Sequence, residues 1–170
     1  ILEVRDLCKY YPGVNALNHV SLDFRKGEVH ALAGENGAGK STLIKMLTGA
    51  VEPSAGEIIY DGQTYTRLDP LQAVHCGIAT VYQEFNLIPY LTVAENIFYG
   101  KEIMKGPFVD KKAMTAAVQK ELDEMEIVMD PNAYVCDLGV AYQQLTEIVK
   151  AVMSHSKVLI LDEPTAPLTS

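Results

Sequence analysis

Nine consecutive residues, Gly34-Glu35-Asn36-Gly37-Ala38-Gly39-Lys40-Ser41-Thr42, place three glycines, a lysine and two hydroxyls between the apolar run Val29-His30-Ala31-Leu32-Ala33 and the segment Leu43-Ile44-Lys45-Met46-Leu47. A strand, a glycine loop and a helix in that order are the setting of a phosphate-binding P-loop. The glycines let successive N–H groups turn inward without Cβ clashes, and the helix N-terminus adds its partial positive charge. The backbone of Asn36, Gly37, Ala38 and Gly39 would then cradle an anion. Lys40 would reach the β- and γ-phosphates of a nucleotide as a point charge, and the Ser41 hydroxyl would complete the shell of a Mg²⁺ ion. Thr42 would start the helix.

A second cluster lies near the end of the chain. Val158-Leu159-Ile160-Leu161-Asp162-Glu163 sets two carboxylates at the carboxyl end of an apolar strand, the edge where open α/β sheets present ligand-binding groups. Beside a P-loop the two acids divide naturally: Asp162 would hold Mg²⁺ and Glu163 would orient and deprotonate the attacking water.

The elements that must position these groups are legible in outline. Residues 1 to 11 alternate apolar and polar positions as a half-exposed strand does, Pro12-Gly13 is a turn, and Leu17 to Phe24 is a second alternating run. These two antiparallel strands flank the nucleotide site. Glu57 to Tyr60 with Asp61-Gly62 predicts a strand entering a hairpin, Pro70 to Cys76 a short helix, and Ile78 to Tyr82 a buried strand. Residues 84 to 155 carry mainly helical signals. Asp110 caps a helix whose stripe is Met114, Val118, Leu122 and Met125, and a second helix is expected from about Tyr142 to Met153, before a short apolar strand at Lys157 to Leu161. Strands on both sides of a helical block imply an α/β class, a P-loop core with flanking antiparallel strands and a helical insertion.

Composition narrows the company this chain keeps. With 14 Lys+Arg against 22 Asp+Glu, the net charge of −8 offers no general attraction to nucleic acid or anionic lipid. Cys8, Cys76 and Cys136 are odd in number and far apart, which suits reduced thiols better than a disulfide framework or a zinc site. No stretch approaches the ~20 apolar residues of a membrane span and there is no signal-peptide pattern, so a cytoplasmic chain is expected.

Over essentially its whole length the sequence resembles the ATP-binding subunit of an ABC transporter, most closely the sugar-import ATPases. Beyond the P-loop, the resemblance rests on Tyr82-Gln83-Glu84-Phe85-Asn86-Leu87-Ile88-Pro89, Leu91-Thr92-Val93-Ala94-Glu95-Asn96-Ile97 and Leu161-Asp162-Glu163-Pro164-Thr165-Ala166. It implies ATP and Mg²⁺ as ligands. It also implies that Gln83 approaches the metal and the water at a hinge between the core (1–83 and 156–170) and the helical subdomain (84–155), and that Tyr11 stacks on adenine, with Tyr10 as the alternative.

The family signature, usually Leu-Ser-Gly-Gly-Gln, aligns with Leu138-Gly139-Val140-Ala141-Tyr142, anchored by Gln143, Gln144, Glu147 and Lys150. Only the leucine is kept. In the resemblance, this segment caps the γ-phosphate held by a second ATPase domain in a head-to-tail sandwich, using helix N-terminal donors. Gly139 brings no hydroxyl, so the trans contact is either weakened or carried by backbone alone. The chain stops before the strand and histidine that complete the family's core, as a C-terminally truncated first domain of a tandem protein would, and poor turnover is expected of it alone. The partners implied are membrane permease subunits and, indirectly, an external solute-binding protein. An ABC ATPase of translation or DNA repair, or nucleotide binding without useful turnover, are the competing functions. The acidic balance and the lack of basic arms or zinc-ligand pairs speak against a nucleic-acid partner.

Overall fold

The structure, a computed structural model, describes residues 1–35, 37–82 and 85–162. The chain forms two compact units, Ile1–Ala79 and Thr80–Ser170.

In the first unit, β1 (Leu2–Tyr11), β2 (Val14–Phe24), β3 (Ala55–Tyr60) and β4 (Gln63–Tyr65) form an antiparallel sheet in the order β2-β1-β3-β4. Leu2 pairs with Phe24 on one side and Tyr60 on the other, so β1 is the central strand. Its alternation breaks at a bulge, where Asp6 takes a φ of 46° and the register shifts between Val4 and Leu7. The extra residue is why both Leu7 and Cys8 are buried beside Leu2 and Val4, where strict period two would expose one of them. The β3–β4 hairpin turns on Asp61 (φ 47°) and Gly62 (φ 80°), the paired positive φ values that a two-residue type I′ turn demands.

Helix α1 (Lys40–Leu47) buries Leu43, Ile44, Met46 and Leu47. It starts two residues earlier than the sequence suggested. The first i→i−4 bond runs from the Leu43 N–H to the Gly39 carbonyl at 2.9 Å, which makes Lys40, not Thr42, the first helical residue. Helix α2 (Pro70–His75) is closed at its start by a reciprocal box between Asp69 and Gln72, with Pro70 in the first turn. The expected strand at Val29–Ala33 does not form. Residues 28–35 have no regular structure, and Val29 is 98% exposed. A continuous apolar run suits a strand covered on both faces and paired at both edges, and among the described residues no strand pairs with this one.

Strand β5 (Ile78–Val81) spans the point where the two units divide. In the second unit, α3 (Val93–Ile97), α4 (Lys111–Glu124) and α5 (Val140–Met153) share a core of Val93, Ala94, Ile97, Val118, Leu122, Met129 and Val149. Each helix start is specified locally. Thr92 and Glu95 form a capping box on α3, and the Asp110 carboxylate accepts the Ala113 N–H at 3.0 Å on α4. Met114, Val118 and Leu122 are buried along the predicted stripe, and Met125 is partly so. Two features were not expected from sequence: a small hairpin of β6 (Met104–Lys105) and β7 (Phe108–Val109), and a 3₁₀ turn at Val135–Asp137. Strands of two residues are too short for any periodicity to register. Helix α5 starts at Val140, two residues before the expected Tyr142, because Gly139 already takes the extended N-cap conformation.

Strand β8 (Val158–Leu161) pairs with β5, and the Asp162 N–H donates to the Val81 carbonyl at 2.9 Å. It is not the fully buried strand that its composition suggested. Its burial alternates, leaving Leu159 39% and Leu161 44% exposed. The thiols are free, as expected, with Cys8 buried and Cys136 exposed. Among the described residues, no helix is long and apolar enough to cross a membrane.

Candidate functional site

In the first unit, Gly39 is the hinge of the P-loop. It takes φ 89° and ψ 3° as the left-handed N-cap of α1, with no side-chain cap. A Cβ there would lie 2.3 Å from the Ala16 carbonyl oxygen and 3.0 Å from Leu17 Cδ2, so only glycine lets the loop pass β2 so closely. An uncapped helix start leaves its first N–H groups facing outward beside a positive dipole end, and this is what a phosphate needs. Lys40 follows on the same turn. Its ammonium donates to the Gly34 carbonyl at 2.7 Å and the Glu35 carbonyl at 3.0 Å, so it spans the loop it belongs to. Gly37, Ala38 and Ser41 are exposed, and Thr42 is half-buried. Asn36 lies outside the described residues.

Tyr11 sits at the end of β1, 42% exposed, with Lys9 Nζ 5.1 Å from its ring centroid. Tyr10 is 44% exposed, and its N–H donates to Ser54 Oγ at 3.1 Å. Adjacent strand residues point to opposite faces, so the two rings are not interchangeable platforms.

The second unit holds the remaining groups. Asp162 directly follows β8, half-buried, with its N–H fixed to the Val81 carbonyl. Gln83 and Glu163 lie outside the described residues. Gly139 has φ −64° and ψ 158°, with open space around a notional Cβ. Its carbonyl accepts the N–H groups of Tyr142 (2.9 Å) and Gln143 (3.1 Å), so the first turn of α5 is well formed, and no side chain caps it. Val140 and Tyr142 are 45% and 43% exposed, and Leu138 is partly buried against the helical core. The Gln143 amide donates to the Val135 and Leu138 carbonyls at 3.2 and 3.0 Å, which fixes the loop that delivers Gly139.

Two residues organise this unit although sequence reading gave them no role in a site. Asn96 is 1% exposed. Its side-chain oxygen accepts the Ile88 N–H at 2.7 Å, and its NH₂ donates to the carbonyls of Ile88, Leu91 and Thr92 at 3.0, 3.3 and 3.1 Å. Glu147, 8% exposed, accepts the Asn86 N–H at 2.6 Å, and Lys150 Nζ donates to the Asn86 carbonyl at 3.3 Å. The signal for Glu147 was present: it sits between Thr146 and Val149 on the buried face of α5, where an unpartnered acid would be costly. Next to this segment Tyr90 is 81% exposed, Asn86 and Pro89 are exposed, and Phe85, Leu87 and Ile88 are half-buried. Apolar surface is therefore on view at Pro89 and Tyr90.

Among the described residues no three His, Cys, Asp or Glu side chains converge on a metal position. Mg²⁺ held with phosphates does not require such a cage, since one or two protein oxygens suffice and phosphate and water fill the rest. Ser41, in the first unit, and Asp162, in the second, each carry a hard oxygen of the kind that Mg²⁺ takes.

A family model described as "ABC transporter" matches residues 17–166. The ribose import ATP-binding protein RbsA 1 of Rubrobacter xylanophilus is 50% identical over 169 residues, covering 99% of this chain and 34% of the relative. A putative ribose/galactose/methyl galactoside import ATP-binding protein of Agrobacterium fabrum is 44% identical with the same coverage. This chain thus spans about a third of the length of such relatives. Among solved structures, the ADP conformation of MJ1267, an ATP-binding cassette of an ABC transporter, superposes with a TM-score of 0.81 at 28% identity, covering 98% of this chain and 69% of that one. The dimeric structure of MJ0796, a bacterial ABC transporter cassette, gives 0.80 at 26% identity, covering 99% and 76%. A P-loop turned on a left-handed glycine, an uncapped helix at the position of the signature and these likenesses agree: the chain belongs to the ABC transporter family, with the ATP-binding cassette fold.

Proposed function

We propose that this chain binds ATP with Mg²⁺ at its P-loop and, within an intact transporter, hydrolyses it to drive the import of a solute, a carbohydrate being the best-supported class. The observation that carries the reading is the start of α1, where an uncapped helix, a left-handed Gly39 and Lys40 meet in one turn. The choice of a sugar is supported by the names of relatives up to 50% identical, which are ribose and ribose/galactose/methyl galactoside import ATP-binding proteins.

Residues 1–83 and 156–170 act as the catalytic core, and 84–155 as a helical subdomain. Lys40 exchanges its two loop carbonyls, neutral acceptors, for the anionic β- and γ-phosphate oxygens, so that both partners of the contact are charged. Ser41 and Asp162 are the residues that would hold Mg²⁺, which when bound would supply charge neutralisation on the phosphates, and Gln83 would contribute to the metal and the attacking water. Glu163 takes the proton of that water. Tyr11 stacks on the base. Because phosphoryl transfer asks the protein mainly for positioning and charge neutralisation, these groups act as one unit.

The start of α5 at Leu138 and Gly139 faces ATP held by a second cassette in a head-to-tail pair. The exposed surface at Pro89 and Tyr90 meets membrane permease subunits, which receive solute from an external binding protein and hold the ATPase at the cytoplasmic face of the membrane. Calorimetric titration of ATP·Mg²⁺ into folded protein tests the core of the proposal. Lys40→Ala should remove most of the affinity, and equal binding by wild type and variant would reject the assignment.

A further inference from the structure

Asn86 is gripped at both ends of its backbone by the middle of α5. Its N–H goes to the Glu147 carboxylate at 2.6 Å, and its carbonyl to the Lys150 ammonium at 3.3 Å. Residues 147 and 150 are three apart and so share a helix face. The N-cap of the same helix is Gly139, eight residues before Glu147, or roughly 12 Å along a rigid rod at 1.5 Å per residue. Asn86 itself stands three residues after Gln83 and four before the exposed Tyr90. The backbone between a surface-exposed tyrosine and a proposed active-site glutamine is thus bolted to the helix that carries the signature.

One turn before Glu147 the same helix buries Gln144, 2% exposed, and neither of its amide atoms has a hydrogen-bond partner among the described residues. Two buried polar atoms left unpaired are costly and call for an explanation. Being three residues before Glu147, Gln144 lies on the same face. That face therefore carries one satisfied and one unsatisfied polar group, spaced by about one turn of helix.

We propose that Glu147 is a positioning residue, a clamp that passes displacement of the segment from Phe85 to Tyr90 to the signature start at Gly139, and that Gln144 provides the second hydrogen-bonded position of that clamp. The inference rests on the reading of the chain as a transport ATPase docked on a permease. In it, movement imposed at Tyr90 cannot be absorbed between 86 and 139 without breaking the contacts to Glu147 and Lys150. The unpaired amide of Gln144 favours a shifted state in which a backbone group reaches it.

The test uses the full-length protein with and without its permease subunits, with kcat and KM for ATP measured in each state. Glu147→Ala should cut the permease-dependent rise in kcat by roughly 5-fold or more, the range of ordinary coupling between sites, and leave KM within about two-fold. Glu147→Gln, whose amide oxygen still accepts the Asn86 N–H, should restore most of it. Wild-type stimulation in the alanine variant, or equal loss in both variants, would overturn the clamp. If Glu147→Ala does not fold, Lys150→Met removes the other half of the grip and is read in the same way. Gln144→Leu should raise the melting temperature while lowering stimulation, and a rise in stability with unchanged stimulation would reject the second position. Amide exchange on the full-length protein separates this idea from the transport reading. In Glu147→Ala, protection at Asn86 and across residues 139–142 should fall together, and loosening at Asn86 alone would overturn the inference whether or not the permease stimulates turnover.

Discussion

The P-loop and β2 meet at Gly39 and Ala16, where a single added methyl would lie 2.3 Å from a carbonyl oxygen. Gly37 shares the positive φ, at 85°, yet has open space around a notional Cβ. The two glycines therefore separate two effects that a motif pattern merges. Gly37→Ala should cost only the left-handed backbone penalty, about 1–2 kcal/mol. Gly39→Ala must also push the loop off β2, so its loss of stability and of ATP affinity should be clearly larger. Thermal melts and calorimetry on both variants decide this, and equal losses would mean that the close approach to Ala16 does not matter.

Chemistry and binding separate at Glu163, which lies beyond the described residues. In the full-length protein with its partners, Glu163→Gln should keep ATP affinity and slow hydrolysis by roughly 10²-fold or more, because the amide preserves shape and removes the base. Asp162→Asn should instead weaken the dependence of turnover on Mg²⁺ concentration. Steady-state rates across a Mg²⁺ titration distinguish the two, and unchanged turnover in Glu163→Gln would remove that residue from the role of base.

Gly139 can be given the hydroxyl that the family uses. Its φ and ψ suit serine, and nothing within 4 Å blocks a Cβ. Serine in place of glycine at an N-cap adds only a few tenths of a kcal/mol, so Gly139→Ser should barely move the melting temperature. Steady-state hydrolysis by the intact transporter should rise several-fold if one charge-assisted hydrogen bond, about 1.5–3 kcal/mol, is partly realised in the transition state. Its two ATP sites should be unequal before the change, with the site facing Leu138 to Tyr142 the poorer one. Unchanged turnover at both sites would mean that backbone donors suffice.

Glu95 makes the second unit sensitive to acid. The Lys111 ammonium, 2.6 Å away, and the Thr92 N–H hold its carboxyl below the usual carboxylate range. A carboxyl depressed in the folded state stabilises above its unfolded pKa, and that contribution is lost as pH falls through the lowered folded value. Lys111 stays charged throughout this window and does not add to the slope. Lys111→Met should therefore lower the melting temperature modestly at neutral pH, where Glu95 is ionised, and change it little at the acid end, so that the acid limb of a plot of melting temperature against pH becomes flatter. Identical acid limbs would show that the pair does not hold Glu95 ionised.

The parts of the fold that could be read from sequence are those written in local chemistry. Asp110 and Pro70 announce two helix starts, and Asp61-Gly62 announces a hairpin, because each acts on its own backbone within a few residues. The P-loop was legible for the same reason. What could not be read depends on distant partners. The run Val29–Ala33 has a strand's composition without its ladder, and pairing is a property of two segments. The bulge at Asp6 follows from β1 having to match both β2 and β3. Glu147 served only to align the signature, since nothing nearby in sequence says that its partner is the N–H of Asn86.

Asn96 carries a further consequence for mutagenesis. It uses its amide at both ends, accepting from one N–H and donating towards three carbonyls. Aspartate offers no donor, leucine offers neither, and glutamine is one methylene too long for a cavity this tight. A saturation screen scored on growth alone would therefore rank this position among the least tolerant in the protein, beside Lys40. Its intolerance would come from holding a loop shut, and only a screen that also reads abundance would tell the keystone from the catalyst.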